Sequence, residues 1–191
     1  MRTFILFARK ARTDSDFTLA DLPGTGGRMD LVCRCVTSAL WLSHGIRDDT
    51  NIIVVLNGPP NPPVSIDFPG NMLSMVSTDE RSVASWIKKA LEQEFEKEWL
   101  EIHNGLRVSR KSFQDVVKEL KDRPIYVLHE DGEEIKKINL KENPVIVVGD
   151  HIGISLNDEK FALRYGEKIS LGKNVYLASS CISVINWILD H

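Results

Sequence analysis

The chain has 191 residues, with 24 Lys and Arg against 27 Asp and Glu for a net charge of −3, and 42% of its side chains are hydrophobic. That length supports one domain with a substantial core, and the balance excludes a disordered, collagen-like or coiled-coil chain. The apolar runs, such as Phe4–Ala8 and Ile52–Leu56, are far shorter than a bilayer requires, and the opening is too short for a secretion signal. A single soluble, cytoplasmic domain over residues 1–191 is therefore expected. Cys33, Cys35 and Cys181 are too few for a disulfide framework and have no second pair for zinc, so no metal is expected either.

In chain order, Phe4–Ala8 predicts a buried strand. Leu22-Pro-Gly-Thr-Gly-Gly27 must be a loop, and Asp30 is placed to cap or open a buried helix over 31–43 that ends near Gly45. Asn51–Leu56 predicts a second buried strand, stopped by the prolines of Asn57–Pro63. Met72–Val76 is a weaker strand. Val83, Trp86, Ile87, Ala90, Leu91, Phe95, Trp99 and Ile102 keep helical spacing, which predicts one long helix from Thr78 or Asp79 past residue 100. A helix over 112–120, strands over 125–128, 145–148 and 168–171, and a closing helix over 179–189 complete the chain. Continuous Val and Ile runs separated by helices imply an α/β fold, a mostly parallel sheet with helices on both faces.

Three segments could carry chemistry. Val148-Gly-Asp-His-Ile-Gly153 and Ile169-Ser-Leu-Gly172 follow or precede strands, where parallel sheets bind ligands, though each taken alone reads as a plain turn before a ligand site. Neither is a dinucleotide fingerprint or a P-loop. The glycine loop delivers Arg28 and Asp30 to a helix start, which suits either a phosphate site or an ordinary cap. Cys181, near the start of the closing helix, is a thiol with a lowered pKa or a small buried hydrophobe. His129 and His151 follow strands and read as structural. Arg2, Arg9, Lys10, Arg12, Arg28, Arg34 and Arg47 concentrate positive charge in the first quarter, which suits an RNA backbone or a solvated face.

Met1-Arg-Thr-Phe-Ile, Leu22-Pro-Gly-Thr-Gly-Gly-Arg-Met-Asp30 and Cys33-Arg-Cys-Val with Ser43-His-Gly-Ile-Arg47 together resemble the archaeal TrmY-type tRNA pseudouridine N1-methyltransferases. Val148–Gly153 and Ile169–Cys181 look like the cofactor loops of the wider SPOUT superfamily. The resemblance implies a C-terminal trefoil knot, a homodimer, S-adenosylmethionine as methyl donor and the T arm of tRNA as substrate. It further implies that Leu128, Gly149, Gly153, Ser170, Leu171, Gly172, Leu177 and Cys181 line the cofactor pocket. Arg28 and Asp30 would face the target base or its phosphate, with the partner subunit as a source of these groups, Asp30 orienting or taking the N1 proton. Three other readings remain open: methylation of pseudouridine in ribosomal RNA, a catalytically silent RNA-binding module, and a nucleotide-binding α/β regulator without RNA.

Overall fold

In the computed structural model, which describes residues 1–74 and 77–191, the chain opens with β1 (Arg2–Ala8) and α1 (Met29–Leu40). A small hairpin of β2 (Trp41–Leu42) and β3 (Gly45–Ile46) leads to β4 (Thr50–Leu56) and β5 (Val64–Pro69). The middle holds α2 (Glu80–Leu91), β6 (Leu100–Glu101), β7 (Arg107–Ser109) and α3 (Phe113–Glu119). The last third is β8 (Ile125–Glu134), β9 (Val145–Gly149), α4 (Leu156–Ala162), β10 (Gly166–Ser170) and α5 (Ala178–Leu189).

Eight strands form one sheet in the order β10-β8-β9-β1-β4-β5-β7-β6. The first five are mutually parallel, and the last three continue antiparallel as a smaller extension. Alternation along β1 shows why two helical layers are needed. Phe4, Leu6 and Ala8 enter a core covered by α1, α2 and α5, while Ile5 and Phe7 enter a second core under α3 and α4. A strand buried on both faces must be apolar throughout, and the middle of β1 is. No helix among the described residues is long and apolar enough to cross a membrane.

Several elements differ from expectation. α1 stops at Leu40 because the next residues turn into the β2–β3 hairpin. Asp30 lies in the opening turn of α1 and does not cap it: the cap position is Arg28, and Asp30 is the second helical residue. The long helix from Asp79 ends at Leu91, although Asp79 caps its start as expected by accepting from the Ser82 N–H at 3.0 Å. Glu92 and Glu94 follow directly, and negative charge at a helix C-terminus opposes the macrodipole. Beyond it Phe95 lies under the Arg110 guanidinium and Trp99 under Arg107 and Lys111, so these aromatics pack on β7 and the two residues after it instead of extending the helix. The strand expected at 72–76 is not formed over Met72–Ser74, and residues 75–76 lie outside the described ones. β5 and α4 were not expected at all.

β8 is interrupted where the site lies. Gly166–Lys168 of β10 pair with Ile125–Val127, but Ile169 and Ser170 pair with Glu133 and Glu134, so residues 128–132 bulge out of the ladder. Gly132 permits this, because a Cβ there would run into the backbone of Ile169.

Candidate active site

Beyond the carboxyl ends of β8, β9 and β10 lies a cleft of about 500 Å³, within the ordinary range for a small-molecule site. The bulge after Val127 brings Leu128 to it, and the turn after β9 brings Gly149 and Gly153. The segment between β10 and α5 supplies Ser170, Leu171, Gly172 and Leu177, and the first turn of α5 supplies Cys181. All eight residues that the resemblance assigns to a cofactor pocket thus border one cleft.

The β9 turn is pinned to the end of β1. Asp150 accepts from the Arg9 N–H at 2.7 Å and from the Ile152 N–H at 2.8 Å, and its own N–H donates to the Phe7 carbonyl at 3.0 Å. These bonds hold the loop open over the strand ends. Gly153 and Gly172 have φ of 82 and 101, and a Cβ at either would meet nothing within 4 Å. Both therefore expose bare backbone to open space, as a cradle for a nucleoside requires. Leu128, Leu171 and Leu177 give one part of the wall an apolar surface for a purine, while His129, Glu130 and Glu159 make another part polar. Size, bare backbone and mixed lining fit S-adenosylmethionine.

Cys181 is not activated. Its thiol is buried, and burial pushes its pKa up rather than down, so it serves as a small hydrophobe in the wall. Its Sγ donates to the Tyr176 carbonyl at 3.8 Å. Cys35, wholly buried in α1, is likewise pushed up to about 12.

Arg28 and Asp30 do not line the cleft; Leu31, one residue on, does. The two side chains are locked together: Arg28 Nε and Nη2 donate to the two Asp30 oxygens at 3.0 and 3.1 Å. Arg34 adds a third bond to Asp30 at 2.7 Å and reaches Glu80 at 3.2 Å. Burial pushes the Asp30 carboxyl up, but the two guanidiniums more than offset this and hold it below the ordinary range. Arg28 is held above its own usual value by the same pairing.

The basic first quarter is largely neutralised. Arg2, Arg12, Arg28, Arg34 and Arg47 are paired with acids, whereas Arg9 and Lys10 have no acidic partner among the described residues. Arg2 and Arg47 clasp the end of α5 through Asp190. Residues missed in the sequence are Glu130 and Glu159 on the polar wall. Glu130 could have been found beside His129, but Glu159 lies in a helix whose sequence carries no ligand motif.

The profile of a family of S-adenosylmethionine-dependent RNA methyltransferases matches residues 1–191. A tRNA (pseudouridine(54)-N(1))-methyltransferase of Thermococcus kodakarensis is 47% identical over 197 residues, covering 100% of this chain and 99% of the relative. The enzyme of that name from Methanocaldococcus jannaschii is 45% identical over 199 residues, covering 100% and 97%. Among solved structures, Archaeoglobus fulgidus Nep1 bound to S-adenosylhomocysteine superimposes with a TM-score of 0.69 at 11% identity, covering 100% of this chain and 99% of that one, which shows a shared fold. The chain belongs to this family of S-adenosylmethionine-dependent RNA methyltransferases, alongside the archaeal tRNA (pseudouridine(54)-N(1))-methyltransferases.

Proposed function

We propose that this protein methylates N1 of pseudouridine in the T arm of tRNA, at the position-54 nucleotide named for its relatives, using S-adenosylmethionine in the cytoplasm. The observation that carries this is end-to-end identity of 45–47% to enzymes of that name, joined to a cleft that gathers every expected cofactor residue. The bound donor would supply a methyl group on a sulfonium, which needs no metal to be reactive.

Leu128, Leu171, Leu177 and Cys181 would hold the apolar half of that donor, and the backbone at Gly149, Gly153 and Gly172 would approach it closely. Pseudouridine is joined to ribose through carbon, so its N1 carries a proton that would pass to solvent water as the methyl arrives, leaving the donor as S-adenosylhomocysteine. Positioning of that nitrogen supplies much of the acceleration. Arg28 fits the task of gripping the nucleotide and stabilising the anionic ring. Asp30 fits the task of aiming Arg28; an acid held ionised by two arginines is a poor proton acceptor. Arg9 and Lys10, near the same loop, suit backbone phosphates, and the paired target base would have to be extruded.

The trefoil knot and the homodimer belong to the same reading. For the first, β10 follows β9 in the chain yet crosses it to pair with β8 on the far side. For the second, α5 leaves Trp187 63% and Val184 40% exposed, with Leu177 and Val175 exposed beside the cleft, and a second copy would cover them.

The test is nucleoside mass spectrometry after incubating labelled S-adenosylmethionine with pseudouridine-bearing tRNA and, in parallel, with pseudouridine-bearing ribosomal RNA fragments. Labelled N1-methylpseudouridine in the tRNA alone is expected. Label in the ribosomal fragments alone, or in neither RNA, would overturn the proposal.

A further inference from the structure

The polar end of the cleft is assembled from three elements. Glu159 of α4 is 14% exposed and lines the cleft. Its Oε1 is held by Lys168 Nζ of β10 at 2.6 Å, which fixes the carboxylate. Its Oε2 faces His129 Nε2 at 3.8 Å, too far for a hydrogen bond. The other ring nitrogen, Nδ1, accepts from the Asp131 N–H at 3.1 Å, so the neutral ring carries its proton on Nε2. Glu159 Oε2 therefore keeps its accepting capacity for a ligand.

Charge narrows what that ligand group is. Glu130, Asp150 and Glu159 border the cleft, and among its described lining residues none is Lys or Arg. Such a wall favours a cation. Asp150 is already engaged by two backbone N–H groups, and Glu130 is exposed to water. Glu159 is the carboxylate left both ordered and available. Of the two cationic centres of S-adenosylmethionine, the sulfonium has no hydrogen to donate and the α-ammonium has three.

We propose that Glu159 accepts a hydrogen bond from the α-ammonium of the methyl donor and so recognises the amino-acid half of that molecule. The inference rests on reading the cleft as the donor site. Calorimetric titration of the full-length protein with S-adenosylhomocysteine and with 5′-methylthioadenosine, which lacks the amino-acid half, tests it. Wild type should bind S-adenosylhomocysteine about tenfold more tightly. Glu159→Gln should weaken that ligand by about tenfold, the value of a charge-assisted hydrogen bond, and leave 5′-methylthioadenosine within about twofold. The second ligand also reports that the cleft remains folded. Equal affinities in wild type, an unchanged S-adenosylhomocysteine affinity in the variant, or equal losses for both ligands would overturn this assignment while leaving the donor site intact. Failure of wild type to bind either ligand would overturn the donor site itself.

Discussion

Arg28 holds a left-handed backbone, φ 70 and ψ 34, directly after Gly27 in the same region. For a residue with a Cβ this costs about 1 kcal/mol or more. The loop offsets it by bonding the Arg28 N–H to the Pro23 carbonyl at 3.0 Å and by chelating the guanidinium on Asp30. Asp30→Asn keeps the size but removes the charge that two arginines share. Its cost in denaturant unfolding at neutral pH should be about 1–2 kcal/mol, reduced from that of a fully buried pair because both arginines are partly solvated. The sign with pH follows from a carboxyl held low in the folded state. The charge stabilises the fold fully above the unfolded Asp value of about 3.9, and that stability is lost as pH falls through the lower folded value. Wild type and Asp30→Asn should therefore converge in stability in strong acid; a gap that persists there would show that the loss is one of shape, not charge.

At the scale of elements, α5 has to be held, because it supplies both the cleft wall and the exposed apolar face. Burial of Ile182 and Ile185 is one part of that, and a polar clasp is the other. Arg2, nine-tenths buried, donates to the Asn186 carbonyl at 3.1 Å and its side chain at 3.2 Å, and pairs with Asp190 at 2.9 Å and Asp49 at 2.8 Å. Asn186 in turn donates to the carbonyls of Ser38 and Ala39 at the end of α1. Arg2→Met should lower stability by about 2–3 kcal/mol, since it leaves a buried amide and a carboxylate short of partners. Hydrogen exchange should locate the loss in α5, with α3 unaffected; uniform loss of protection would mean that the clasp is not local. The elements legible in the sequence are those with an uninterrupted pattern. β1, β4 and β9 are dense apolar runs, and α3 carries its capping box, Ser112 with Asp115. β5 was not read, although Val64, Ile66 and Phe68 alternate with Ser65 and Asp67, because the prolines on either side mask it. Nor was the end of α2, since Phe95 and Trp99 continue the helical spacing and only Arg107 in β7 and Arg110 just beyond it draw them away.

For the whole molecule, the proposed dimer places the exposed face of α5 against a second copy. Trp187, its ring tilted against that of His191 with centroids 4.9 Å apart, is the largest side chain on that face. Trp187→Glu should yield monomers in sedimentation analysis while keeping the circular dichroism of the wild type. A monomeric wild type, or a variant that stays dimeric, would place the interface elsewhere or remove it. The molecule's charge is organised by the same economy of surface. Most of the first-quarter arginines are spent on internal ion pairs, so contact with a polyanion is left to a few positions such as Arg9 and Lys10.

The order of residues by itself determined the α/β class, the two-faced central strands and the stretches that approach a nucleoside, because dense apolar runs and glycine-bearing turns are local properties of the chain. It also carried the family, through motifs spread from Met1 to Cys181. Only tertiary structure decided that the eight pocket residues meet in one cleft, that burial pushes the Cys181 thiol up, and that Glu159 stands across from His129. Those are relations between segments tens of residues apart, set by strand order and helix packing, and side-chain charge takes its meaning from neighbours that proximity in sequence does not specify.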